Sequence, residues 1–208
     1  MTAPKFLRLR REAWGFIVGS TLFILGAVSG FLGAVGAVTD NLTFFIGSLF
    51  FTLAAFIQLN LSGRRPPRST TNRPDRFDWW AAAIQFAGTL FFNLSTATAL
   101  TASLVDTERT AWRPDAYGSV CFLLSSLLAV VATTGRDALW DPKARTWPGA
   151  CLNLLGSVAF GVAAVSAYPI AEFGQQFLAS WATVGTITGA VCFLVAAVLT
   201  RPGTPRLS

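Results

Sequence analysis

Six stretches of this chain carry no Lys, Arg, Asp or Glu and are each 19 to 25 residues long. They are Trp14–Val38, Leu42–Leu61, Trp79–Ser103, Ala116–Thr134, Pro148–Tyr168 and Leu178–Thr200. A helix needs about 20 apolar residues to cross a hydrocarbon core. Runs of this length without charge leave a water-exposed helix no polar face, which argues against a soluble bundle. Lipid requires every backbone polar group to find an internal partner, so the choice lies between helices and a closed barrel. Barrel strands are short and alternate, and none of these runs alternates cleanly. The expectation is an all-α integral membrane protein with six transmembrane helices in one domain covering residues 1–208.

Composition agrees, because only 12% of residues are charged where a soluble domain has about 25%. The net charge of +6 is concentrated between the runs. The N-terminal tail, the second and fourth connections and the C-terminus hold 14 basic residues, among them Lys5, Arg8, Arg10, Arg11, Arg65, Arg68, Arg73 and Arg76. The other side holds Arg109 and Arg113. The positive-inside rule then places both termini in the cytoplasm. The same charge explains itself at anionic lipid headgroups, so nucleic acid is not an expected partner. All seven Trp fall at or near run ends, as interfacial indoles do. The first run is too long for a signal-peptide core and reads as a retained helix. Cys121, Cys151 and Cys192 all lie within runs, and with no His present they fit neither a metal site nor a disulfide framework.

A second pattern lies inside the runs. Gly is followed four residues later by Phe at Gly19/Phe23, Gly47/Phe51, Gly88/Phe92, Gly118/Phe122, Gly156/Phe160 and Gly189/Phe193. A small residue follows each Gly, and another sits four places after each Phe. With 18 Gly and 18 Phe in 208 residues, chance gives about 1.6 such pairs. Alternate copies are 68 to 71 residues apart. The repeating unit is therefore a helical hairpin, present three times at about 14–61, 79–134 and 148–200, with a cytoplasmic linker at 62–78. A pseudo-threefold arrangement is one way to assemble three such units. Asp78 is expected to cap the third helix, Pro148 to occupy a first turn, and Pro169 to follow the fifth helix.

Residues four apart share one stripe of a helix, offset by about 40°. Helices in lipid associate by close approach and dispersion rather than by hydrophobic burial. Paired antiparallel helices are thus expected to lay each Phe over the partner's Gly. Gly15/Gly19, Gly26/Gly30 and Gly185/Gly189 add further close-packing spacings, and the Ser or Thr after each motif Gly is expected to bond back to its own helix.

Intramembrane charge usually marks a functional membrane site, and the six runs have none. Their strongest polar groups are Gln58, Asn60, Gln85, Asn93 and Asn153. Gln85 and Asn153 each precede a motif Gly by three residues, where the first unit has Phe16. The ordinary fate of such amides is interhelical hydrogen bonding. The sharper expectation is a polar cavity faced by Gln85, Asn93 and Asn153. Enzymatic chemistry has little to stand on: the candidate carboxylates Asp40, Asp78, Asp106, Glu108, Asp115, Asp137, Asp141 and Glu172 are scattered, and no P-loop, nucleophile elbow or metal cluster appears. No cofactor, metal or catalytic residue is expected.

The segments WGFIVGSTLFILGA and FFIGSLFFTLAAFIQL resemble the YrhK-like family of small bacterial membrane proteins over about residues 14–61. The resemblance implies a multi-pass protein of the bacterial plasma membrane and assigns no chemistry. GTLFFNLST at Gly88–Thr96 is similar to a Gly-Thr-x-x-x-Asn segment of small fluoride channels. Those channels have four helices per chain and a membrane Arg, which this sequence lacks. The leading expectation is a non-enzymatic accessory, lipid-binding or structural membrane module. Its partners would be lipids and either another membrane protein or a second copy. The alternative is a passive channel or carrier for a small ion or solute.

Overall fold

The computed structural model describes residues 3–28, 30–63, 65–105, 112–134, 147–168 and 175–201. They form six α-helices: α1 Ala3–Ala27, α2 Phe31–Ser62, α3 Arg73–Val105, α4 Trp112–Thr134, α5 Trp147–Ser166 and α6 Gln175–Thr200. No strand occurs among the described residues. Each helix packs on its two sequence neighbours, and α6 returns to pack on α1. Among the described residues the backbones of helices across the bundle do not approach one another, so the six close a ring around a central axis. The most extensive packing lies within α1–α2, α3–α4 and α5–α6.

The distribution of side chains is inverted relative to a soluble bundle. Inside are Ala, Phe and hydroxyl residues, including Ser20, Ser48, Thr89 and Ser157, which are fully buried. Outside are large aliphatic residues such as Leu53, Leu94, Val120, Leu155 and Val184. Phe31–Ser62, Arg113–Thr133, Trp147–Ser166 and Ala179–Thr200 are long and apolar enough to cross a membrane, which suggests a membrane protein. α1 and α3 fall short of that measure. α1 opens on Lys5, Arg8, Arg10, Arg11 and Glu12, and α3 opens on Arg73, Asp75, Arg76 and Asp78 and carries six hydroxyl residues in its second half.

Two predicted boundaries move. The first apolar run is not one helix. α1 ends at Ala27, and Gly30 turns the chain with φ 94° before α2 starts at Phe31. Gly36 then breaks the line of α2 with φ 79° and ψ 162°. Both values lie where a Cβ is poorly tolerated, and only glycine enters without strain. Hydropathy counts Gly30, Gly33 and Gly36 as permissive, so the run looked continuous. One consequence is that Gly26 and Gly30 do not share a helix. Another is that Asp40, expected in a connection, lies within α2 and is buried.

The linker is also shorter than predicted. α2 continues to Ser62, and α3 starts at Arg73 rather than near Asp78. Asn72, not Asp78, caps α3. The Asp75 backbone N–H donates to Asn72 Oδ1 at 2.9 Å, and Asn72 Nδ2 donates back to Asp75 Oδ2 at 2.9 Å. The first bond is an Asn N-cap, and the second is a side-chain bond that holds the cap in place. Trp79 Nε1 donates to the Gly63 carbonyl at 3.1 Å, which ties the start of the linker to α3. Pro148 sits in the first turn of α5 as expected. Pro169 lies outside the described residues, as do Asp106, Glu108, Asp137, Asp141 and Glu172.

Candidate functional site along the ring axis

The six motif glycines and phenylalanines meet reciprocally within each helix pair. A Cβ placed on Gly19 would stand 2.9 Å from the Phe51 ring, and one on Gly47 would stand 2.9 Å from Phe23. The same exchange joins Gly88 with Phe122 at 3.3 Å and Gly118 with Phe92 at 3.0 Å. It also joins Gly156 with Phe193 at 3.5 Å and Gly189 with Phe160 at 2.5 Å. The absent side chains are what let the rings lie against the facing backbone.

The rings do more than fill the seams. Having crossed the facing glycine, all six reach the axis and form one cluster. Phe51, Phe122 and Phe193 make a closed triangle, with centroids 5.6 to 6.5 Å apart. Phe160 joins Phe23 at 6.1 Å and Phe92 at 5.9 Å. Within pairs the centroids are 5.2 to 5.6 Å apart, at the short end of the range for favourable aromatic contacts. The rings enclose a void of about 10 Å³ lined by nothing else. A void of that size is at the lower limit for one water, and it offers no polar partner.

On either side of this plug the axis is hollow. At the end of the α1–α2 turn lies an upper vestibule of about 460 Å³, floored by Phe23, Phe92 and Phe160. At the end where α1 begins and α6 finishes lies a lower vestibule of about 360 Å³, reaching Phe193. All six helices contribute to the wall of each.

The wall positions repeat from helix to helix. Three residues before each motif Gly, α1, α3 and α5 place Phe16, Gln85 and Asn153 on the lower vestibule. The corresponding residues of α2, α4 and α6 are Phe44, Asp115 and Thr186, and they line the upper vestibule. Gln85 and Asn153 therefore face one cavity. Asn93 does not join them; it lines neither vestibule, and its buried Oδ1 has no hydrogen-bond partner among the described residues. It lies five residues after Gly88, off the stripe that turns to the axis. Gln85 also serves the seam, since Ser125 Oγ donates to its Oε1 at 3.4 Å and to the Ala81 carbonyl at 2.7 Å. Asn60 Nδ2 donates to the Phe56 carbonyl of its own helix at 2.8 Å.

Carboxylates mark both vestibules. Asp40 and Asp115 line the upper one, Glu12 and Asp78 the lower. Glu12 was absent from the expected site residues, because it stands two positions ahead of the first apolar run among Arg10 and Arg11. Its position was readable in one respect: it precedes Gly19 by seven residues, two turns along the motif stripe. Burial raises its pKa to about 8, and the neighbouring Asp78 carboxylate adds to the rise. Among residues facing the vestibules the one base is Lys5, in the lower cavity. The Asp40 Oδ1 and the Gln58 Oε1, one in each vestibule, are buried without a hydrogen-bond partner among the described residues.

The expected back-bonding of the motif hydroxyls is seen at Ser48, Thr89 and Ser157, while Ser20 Oγ has no partner among the described residues and Ser119 Oγ donates across to the Phe160 carbonyl at 3.5 Å. Ser48 donates to Phe45 O at 2.7 Å, Thr89 to Phe86 O at 2.7 Å and Ser157 to Asn153 O at 2.8 Å. The same groups also bridge neighbouring pairs. Ser48 and Thr96 share a 3.0 Å bond between α2 and α3, and Ser126 and Ser157 a 2.7 Å bond between α4 and α5. No protein family, curated protein or solved structure matches the chain.

Proposed function

We propose that this chain is a multi-pass membrane protein whose six helices enclose a passive conduit for a small solute, closed at the six-Phe plug. The observation that carries the reading is the hourglass axis. Two cavities lined by all six helices approach the same dry constriction from opposite ends. Hydrophobic constrictions of this kind gate by excluding water. A packing or accessory module accounts for the Gly/Phe seams but gives no reason for polar, hollow ends on the axis. In this reading all six helices cross the bilayer as three related hairpins, with both termini on the basic, cytoplasmic side. Its partners are lipids, and it works without cofactor or catalysis.

The test is solute flux into liposomes reconstituted with the purified protein, using tracers of graded size and charge. A flux above that of empty vesicles, raised when a plug ring is truncated, supports the conduit. No flux above empty vesicles from either the parent or the truncated variants returns the protein to the accessory reading.

A further inference from the structure

The carboxylates of the upper vestibule are opposite in sign to the molecule as a whole. The chain carries a net charge of +6, yet the upper vestibule presents two carboxylates, and no Lys or Arg among the described residues lines it. An anion would find no charged partner among those residues. A divalent metal would want a denser set of ligands, and no group of three metal-ligating side chains occurs among the described residues. Beside the carboxylates the wall is largely aromatic and small, with the rings of Phe44, Phe23, Phe92 and Phe160, with Thr96, Thr183 and Thr186, and with the aliphatic Val28 and Leu32. A ring face attracts a cation, and aromatic walls with carboxylates are the usual surroundings of a substituted ammonium group. The cavity of about 460 Å³ is of the size that holds a small organic ligand.

Asp40 supplies an independent sign of a missing ligand. It is 9% exposed and lines the cavity, and its Oδ1 has no hydrogen-bond partner among the described residues. A buried carboxylate oxygen without a partner is costly unless a cation or donor completes it. Gln58 Oε1 repeats the situation in the lower vestibule, beside Glu12 and Asp78.

We propose that the axis binds a small monovalent organic cation, held in the upper vestibule by Asp40 and Asp115 against the Phe44 and plug-ring faces. The proposal rests on the conduit reading only for where the cation goes next; the binding site stands on the vestibule itself.

The experiment is isothermal titration of the purified full-length protein in detergent with tetramethylammonium chloride, and with sodium chloride as the comparison. Saturable millimolar or tighter binding of tetramethylammonium, absent for sodium, is expected. Asp40→Asn should weaken it by about tenfold or more, and Asp115→Asn should weaken it too, with monodisperse elution showing that each variant is folded. No saturable heat with the parent protein overturns the site, whatever the variants do. Equal binding of sodium overturns the organic cation, and unchanged affinity in a folded Asp40→Asn variant overturns the residue assignment. Binding without liposome flux leaves this site standing and removes the conduit; flux without binding does the reverse.

Discussion

Ser48 on α2 and Thr96 on α3 share a buried 3.0 Å hydrogen bond across the boundary between two helix pairs. Ser48 follows a motif Gly, and Thr96 stands four residues after a motif Phe. Ser157 and Ser126 occupy the same two positions between α5 and α4. At the third boundary, α6–α1, the corresponding residues are Ser20 and Ala197. Ala197 has no hydroxyl, and Ser20 Oγ is buried without a partner among the described residues. The Ala197→Ser variant should give Ser20 its missing bond and stabilise the fold by about 0.5–1.5 kcal/mol. Thermal unfolding in detergent reads the result; a lowered Tm would mean that the third boundary does not follow the other two.

Close approach at the glycines sets a second expectation. A Cβ on Gly88 would meet Cys121 Cβ at 2.9 Å, whereas one on Gly161 meets nothing within 4 Å. Gly88→Leu should therefore cost about 1–3 kcal/mol or more through overpacking. Gly161→Leu should leave Tm unchanged or raise it, because a helical Gly is itself unfavourable. Two equal melting curves would show that the seams are looser than the distances imply.

Truncating the plug separates stability from permeation. Phe122 touches Phe51, Phe92 and Phe193. Phe122→Ala should cost about 3–5 kcal/mol while enlarging the dry void into one that admits water. Raised liposome flux together with a lower Tm is the expected pair. A variant that remains folded and reconstituted but conducts no more than the parent would place the barrier elsewhere.

Glu12 gives the fold a pH dependence with a defined sign. Its folded pKa of about 8 lies above the ordinary carboxyl value of 4.5. Between those values the folded state holds a proton that the unfolded chain has released. Stability from this group is thus complete below about pH 4.5, declines as pH rises, and is lost above about pH 8. Tm measured from pH 5 to 9 should fall and then level off, and Glu12→Gln should flatten that part of the curve. An identical pH profile in the variant would show that Glu12 titrates near its ordinary value.

Much of the architecture was legible because membrane helices write themselves in composition and spacing. The Gly/Phe stripe located the helix pairs and anticipated which ring faces which glycine. It did not reveal that the six rings continue past the glycines to one point, since a spacing rule describes a helix face and not the radius of a ring. The break at Gly30 was hidden for a different reason. Glycine is neutral to hydropathy, and its positive φ is visible only in the folded backbone. Asp40 was misplaced by the same error, because a turn expected after Val38 put it at a surface. Glu12 was passed over because charge density, not helical register, drew the eye to its neighbours. Gln85 and Asn153 stood out as polar groups in equivalent register and line one vestibule, whereas Asn93, singled out by polarity without that register, lines neither.

Ring closure has a consequence for the order of the chain. α6 packs on α1 as a neighbour, and the Arg201 guanidinium lies 5.7 Å from the Trp14 ring centre, bringing the last helix's end beside the first. No helix pair is structurally first. Joining the present ends and opening the chain between Arg65 and Asn72 would leave every helix with the same two neighbours. The order in which the pairs are synthesised is then a property of the gene, while the finished ring is indifferent to where it was begun.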